Sequence, residues 1–136
     1  MTAGRRDGIV VIEPDLIFSV LCDDVRREDN GKLILIGLFA EMSANRFPYR
    51  CPLLCVANKW GKGQGEFHQC TRLVTPDDDV LIEDRVQEFE LEDLDSSHVV
   101  VTFFRNIQFP RPGRYAVEVL LDGELKQRYP IHVVEG

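Results

Sequence analysis

The chain lacks several features, and each absence removes a class of function. No apolar run approaches the ~20 residues that a membrane-spanning helix needs. The longest apolar stretch near the start, Ile9-Val-Val-Ile12, is too short for a signal-peptide core. Basic residues are outnumbered: 16 lysines and arginines face 23 aspartates and glutamates, a net charge of −7. Non-specific nucleic-acid binding needs a basic face, so neither nucleic acid nor membrane is expected as a partner. There is no Cys-x-x-Cys pair, no phosphate-binding Walker spacing and no nucleophile-elbow motif. Heptads, internal repeats and long helical periodicity are also missing. With no secretory signal, the expected compartment is the cytoplasm, where the four cysteines Cys22, Cys51, Cys55 and Cys70 should be thiols.

What the chain does have is two-residue alternation. After Pro112-Gly113, residues Tyr115, Val117, Val119 and Leu121 fall on one face, opposite Arg114, Ala116, Glu118 and Leu120. That is a half-buried strand. A returning strand follows, with Leu125, Tyr129, Ile131 and Val133 in one parity. A two-residue Asp122-Gly123 loop would oppose odd residues to even ones and send one apolar set to solvent. The parity therefore predicts a three-residue loop, Leu121-Asp122-Gly123, with Gly123 as a left-handed bulge glycine. Val119 would then oppose Leu125, and Tyr115 would oppose Tyr129.

Residues 1–14 read as a mobile N-terminal tail, and residues 15–136 as one domain, a size sufficient for one core. Within it, residues 15–22 form a strand with Leu16, Phe18, Val20 and Cys22 on one face. Residues 32–40 are apolar on both faces. Residues 53–60 and 66–74 read as a hairpin around Gly61-Lys-Gly-Gln-Gly65. Residues 80–91 change parity midway, which predicts a bend or two short strands. Residues 98–107 place Val99, Val101, Phe103 and Ile107 on an inner face. Short strands separated by turn signals every ten residues or so mean an all-β protein, an antiparallel immunoglobulin-like β-sandwich of about seven to eight strands.

The corner supports the sandwich. Pro112-Gly-Arg-Tyr115-Ala-Val117 resembles the tyrosine corner of immunoglobulin and fibronectin type III domains, with Val117 where immunoglobulins have a cysteine. Gly113, Tyr115 and Gly123 are its structural residues. Leu21-Cys-Asp-Asp24, Gly31-Lys-Leu-Ile-Leu-Ile-Gly37-Leu-Phe39, Phe47-Pro48 and the stretch from Phe109 to Val134 together resemble an uncharacterised bacterial β-sandwich family of unknown function. The resemblance implies the fold and no activity.

Four constellations could carry chemistry. Residues 76–95 hold ten acids and one arginine, a net −9, leaving the rest of the chain at about +2. Asp77, Asp78 and Asp79 could bind calcium if they met Asp23 and Asp24 at one end of the sandwich, since calcium needs six to eight converging oxygens. Otherwise these aspartates serve a turn. Cys51, Cys55, His68 and Cys70 have zinc-ligand types, but an extended chain holds Cys51 and Cys55 apart. The Gly61–Gly65 loop reads as a flexible tip rather than a phosphate cradle. Asp95-Ser96-Ser97-His98 has triad residue types, yet neighbours along a strand point apart. No catalytic residue, cofactor or metal is assigned from the sequence, and enzyme activity is not expected.

The expected function is a non-enzymatic cytoplasmic interaction module that binds protein, with a ligand- or calcium-binding sandwich as the alternative. Val100, Phe104, Ile34 and Ile36 lie opposite the expected inner faces and are more apolar than a solvated outer face should be. They form the candidate interaction surface. Either residues 40–52 cover it or another chain does, and the expected other chain is a second copy in a homodimer.

Overall fold

The computed structural model describes residues 3–6 and 9–136. In chain order its strands are β1 (Ala3–Arg6), β2 (Ile9–Ile12), β3 (Asp15–Arg27), β4 (Leu33–Leu38), β5 (Glu41–Ala44), β6 (Tyr49–Gly61), β7 (Gly65–Val74), β8 (Val80–Glu83), β9 (Gln87–Leu91), β10 (Ser97–Phe109), β11 (Gly113–Leu121) and β12 (Glu124–Glu135). No helix occurs among the described residues, so none there is long and apolar enough to cross a membrane.

Two sheets pack face to face. One has four strands in the order β10-β6-β3-β4. The other has six, in the order β5-β12-β11-β7-β8, with β9 continuing beside β7 where β8 leaves off. Pairing is antiparallel except between β12 and β5. The protein is thus an all-β sandwich, with ten strands in its two sheets rather than seven to eight. The additional strands are short pieces, such as β5, β8 and β9, that sequence alternation alone does not separate. The parity change in residues 80–91 does correspond to two short strands, β8 and β9.

The two strands expected to form a hairpin around Gly61–Gly65 belong to different sheets. β6 lies in the four-stranded sheet and β7 in the six-stranded one. Residues 62–64 carry the chain across the end of the sandwich. There Gln64 exchanges backbone hydrogen bonds with Ile12 at 2.9 Å each. Gly63 is glycine because a Cβ would sit 2.6 Å from the Pro14 Cα and 2.7 Å from the Ile12 carbonyl oxygen. Of residues 1–14, expected as a tail, 1, 2, 7 and 8 lie outside the described residues. β1 and β2 pair as a ribbon, and Val11 packs against the core.

The core between the sheets is built on Trp60, Phe67, Leu54, Phe109, Tyr115 and Ile131. A polar layer crosses it. Gln69 Oε1 accepts from Trp60 Nε1 at 2.8 Å and from Asn58 Nδ2 at 3.2 Å. Asn58 Nδ2 also donates to Thr71 Oγ1 at 3.0 Å, and Gln69 Nε2 donates to Gln87 Oε1 at 3.1 Å. Thr102 Oγ1 donates to the same Gln87 oxygen at 3.1 Å. Buried polar groups are tolerated when paired; in this layer, which links strands of both sheets, Asn58 Oδ1 is left without a partner among the described residues.

The corner forms as its sequence indicated. Tyr115 is fully buried, and its hydroxyl donates to the Arg111 carbonyl at 2.7 Å. Phe109 packs edge-on against its ring. We expect Tyr115→Phe to cost about 1 kcal/mol, the usual net value of one such bond. Urea denaturation checks this, and an unchanged midpoint would remove the corner from the stability account.

The β11–β12 turn corrects the expected loop. Asp122 and Gly123 both have positive φ (48° and 84°), and Leu121 pairs with Glu124 across a two-residue turn. Leu120 then opposes Leu125, and Val119 opposes Gln127. The extra residue, Lys126, sits in a bulge on β12, two pairs from the turn. Parity is repaired there rather than in the loop, so Tyr115 faces Ile131 and not Tyr129. Leu125 is left exposed instead of inward.

Candidate functional site

The outer faces of the two sheets differ in kind. On the six-stranded sheet a row of alternating charge crosses four strands. Glu83, Arg72, Glu118 and Arg128 lie directly opposite one another in register. Arg72 Nε donates to Glu118 Oε1 at 2.7 Å, and Arg128 Nη1 donates to Glu118 Oε2 at 2.5 Å. Arg72 also reaches Glu83 at 3.5 Å, and Arg128 reaches Asp78 at 2.8 Å. Burial alone would push the Glu118 carboxyl up. The hydrogen bonds and charge of the two arginines outweigh it and hold this carboxyl below the usual range. The sequence carried the signal for this row, since all four residues sit at outward parity, but the pairing needed the register.

The outer face of the four-stranded sheet is apolar. Its central row runs Phe103, Cys55, Cys22, Leu38, one residue from each strand, each opposite the next. Phe103 is 42% exposed and Leu38 63%, while the two cysteines between them are fully buried beneath larger neighbours. The next row is Val101, Ala57 and Val20. On β4, Ile34 and Ile36 are each 40% exposed and face the same way, opposite Arg26 and Asp24. Phe18 completes the patch at the other end, opposite Lys59. The central row carries no charge, but the rows beside it do. Lys59 lies between Val99 and Phe18, Arg26 pairs with Asp24 at 3.0 Å opposite Ile34 and Ile36, and the Arg105 guanidinium lies 5.7 Å from the Phe103 ring centre.

Two of the four residues expected on this surface are not on it. Val100 and Phe104 are 7% and 2% exposed and point into the core. Val99, Val101 and Phe103, expected inside, form the outer face. The cause is Asn106, which takes the left-handed conformation (φ 53°) and reverses the strand's parity. Ile107 and Phe109 beyond it face the core, as Phe104 does before it. An expected face that runs through Ile107 is therefore inverted upstream. β3 has a similar break. Leu16 opposes Trp60 and Phe18 opposes Lys59, so Ile17 is an extra residue. Leu16 faces the core, while Phe18, Val20 and Cys22 face out. Ile34 and Ile36 are exposed. Residues 40–52 do not cover the patch: β5 is paired to β12 in the other sheet, and Met42, Phe47 and Tyr49 pack against the core.

The two thiols in the central row are shielded. Burial, then the charges of Asp23 and Asp24, raise the Cys22 pKa. Burial, then Cys22 itself, push Cys55 up to about 12. Neither residue belongs to the core between the sheets, whose cysteine is Cys51.

The other constellations are taken up structurally. Asp77 pairs with Arg111 at 2.6 Å and Asp78 with Arg128 at 2.8 Å. Thr75 Oγ1 accepts from the backbone N–H of Asp77 and of Asp79, both at 3.2 Å. Asp23 and Asp24 lie on β3 in the other sheet. The zinc-type residues are scattered: Cys51 in the core, Cys55 on one outer face, and Cys70 and His68 on β7 of the other sheet. Among the described residues no three histidines, cysteines or acids are grouped to hold a metal ion. Ser96 Oγ donates to Asp93 Oδ1 at 3.0 Å within a turn, and His98 stacks on Phe89.

With this geometry in place, comparison assigns the chain to a family. It belongs to DUF6941, a family of unknown function, whose model matches residues 17–134. That span covers all but the first two residues of β3 and the last of β12, includes the apolar face, and begins after β1 and β2. No curated protein matches the chain.

Proposed function

We propose that this protein is a cytoplasmic protein–protein interaction module that works by docking through the outer face of its four-stranded sheet, and that the partner is a second copy of the chain. The contrast between the two outer faces carries the reading. One sheet presents a charged row to water, while the other presents Phe103, Leu38, Ile34, Ile36 and Phe18. Exposed apolar patches of this extent mark contacts.

Size and composition favour a second copy. Three of the four strands are 13 residues long. At ~3.3 Å per residue and ~4.8 Å between strands, these three and the six-residue β4 cover on the order of 700 Å². That approaches the ~800 Å² each partner contributes to a standard interface. Homodimer interfaces are more apolar than those of transient complexes, with charge kept to the rim. Here the central row is free of charge, and Arg105, Asp24 and Lys59 lie in the rows on either side of it. The four free cysteines accord with a reducing compartment.

Sedimentation equilibrium at micromolar concentration tests the proposal. Wild type is expected to be dimeric and Phe103→Glu monomeric. Leu125→Glu, on the other sheet, should remain dimeric. A wild-type monomer, or a Phe103→Glu dimer as stable as wild type, would overturn it.

A further inference from the structure

We propose that Cys22 and Cys55 together form a modification site, a dithiol that a low-molecular-weight disulfide converts into a cross-strand disulfide within the chain. The two residues are directly opposite on antiparallel strands and share the outer face. The Leu21 carbonyl accepts from Phe39 N–H, so it points away from β6 towards the β4 side. The backbone of Cys22 therefore points towards β6, and the Cys22/Cys55 pair is of the hydrogen-bonded kind, with Cα atoms ~5.5 Å apart. Disulfides form over Cα separations of ~4.4–6.8 Å but need Cβ atoms ~3.5–4.5 Å apart. A hydrogen-bonded pair holds them at ~5.5 Å, so closing the bond draws the two strands together locally and leaves a strained, readily reduced disulfide. No other two of the four cysteines are opposed. Cys51 faces Ile107, and Cys70 faces Leu120.

The chemistry is an exchange in two steps. The thiolate of one cysteine attacks a sulfur of the reagent disulfide, whose S–S bond breaks and releases one small thiol. The second cysteine, as thiolate, attacks the mixed disulfide, forms the Cys22–Cys55 bond and expels the second small thiol. The protein loses two protons and two electrons, and the reagent gains them as two thiols. Entry requires Phe103 or Leu38, which flank the pair in its row, to swing aside. Because burial keeps both thiols protonated at neutral pH, the reaction is slow there and quickens as the thiolate fraction rises. The pairing holds whether or not a second copy covers the face. A covering copy would only slow entry.

The test treats the folded full-length protein with oxidised glutathione at about pH 8, where more thiolate is present. Free thiols are then alkylated, and the peptides are mapped by mass spectrometry without reduction. The expected product links the Cys22 peptide to the Cys55 peptide, with the mass of two hydrogens lost and no glutathione retained. Cys55→Ser should instead leave Cys22 carrying a stable glutathione adduct. Three results on wild type would each overturn the proposal, and they decide it even if the variant does not fold. These are both thiols still alkylatable after Cys70 has reacted, a lasting glutathione adduct on Cys22 or Cys55, or a link from either to Cys51 or Cys70.

Discussion

Replacing Glu118 by alanine is expected to cost about 2–3 kcal/mol of stability. Breaking a fully buried ion pair by removing one partner costs about 3–5 kcal/mol, because the remaining charge is stranded. Here Glu118 is shielded, but Arg72 and Arg128 are partly exposed and recover some hydration, so the lower figure applies. The pH dependence follows from the depressed carboxyl. A group whose folded pKa lies below its unfolded value of about 4.5 stabilises the fold fully above that pH. The contribution is lost as pH falls through the folded value. Wild type should therefore lose stability below about pH 4.5 more steeply than Glu118→Gln, which lacks the titrating group. Urea denaturation at a series of pH values measures both effects. Parallel pH profiles for the two proteins would contradict the assignment.

The second large effect lies in the polar layer. Gln69→Leu is expected to destabilise by about 2–3 kcal/mol, because Trp60 Nε1–H would be buried with no acceptor. Asn58 retains Thr71, and Gln87 retains Thr102, so those groups keep partners. Removing both members of a buried hydrogen bond costs much less than removing one. Gln69→Leu combined with Trp60→Phe should therefore be more stable than the sum of the single changes, by about 1 kcal/mol or more. Strict additivity in this cycle would mean that the bond contributes nothing specific.

Much of the architecture was legible in the sequence, and the failures have local physical causes. The inward set of β11 (Tyr115, Val117, Val119, Leu121) was read correctly because the strand is regular from end to end. The Tyr115 corner was readable through the resemblance of Pro112-Gly-Arg-Tyr115-Ala-Val117 to a known corner motif. β10 was read inside out because one left-handed residue, Asn106, reverses its parity. Asparagine is among the few residues that adopt this conformation readily, but nothing in the local sequence required it there. The bulge at Ile17 misled in the same way, since Leu16 and Phe18 share a parity yet face opposite ways. The β11–β12 hairpin shows a subtler limit. Parity demanded one extra residue, and its position at Lys126 rather than in the loop was not fixed by pattern. The apolar outer face was half legible. Ile34, Ile36 and Leu38 share a parity that alternation reads, and all three are exposed, whereas Phe103 and Phe18 depended on the register of the whole sheet. Apart from the β11–β12 hairpin, pairing across strands was not legible, which is why the Glu83–Arg72–Glu118–Arg128 row and the Cys22/Cys55 pair emerge only from the structure.

The claim that the four-stranded sheet docks through its outer face is tested most directly by methyl NMR over a dilution series from high to low micromolar. The methyl signals of Val20, Ile34, Ile36, Leu38, Val99 and Val101 should shift together on one concentration curve. Those of the enclosed core residues Leu54, Val117 and Ile131 should stay fixed, as should Leu125 on the opposite sheet. Signals from the outer face that do not depend on concentration, or a shift centred on Leu125 and its neighbours, would contradict the account.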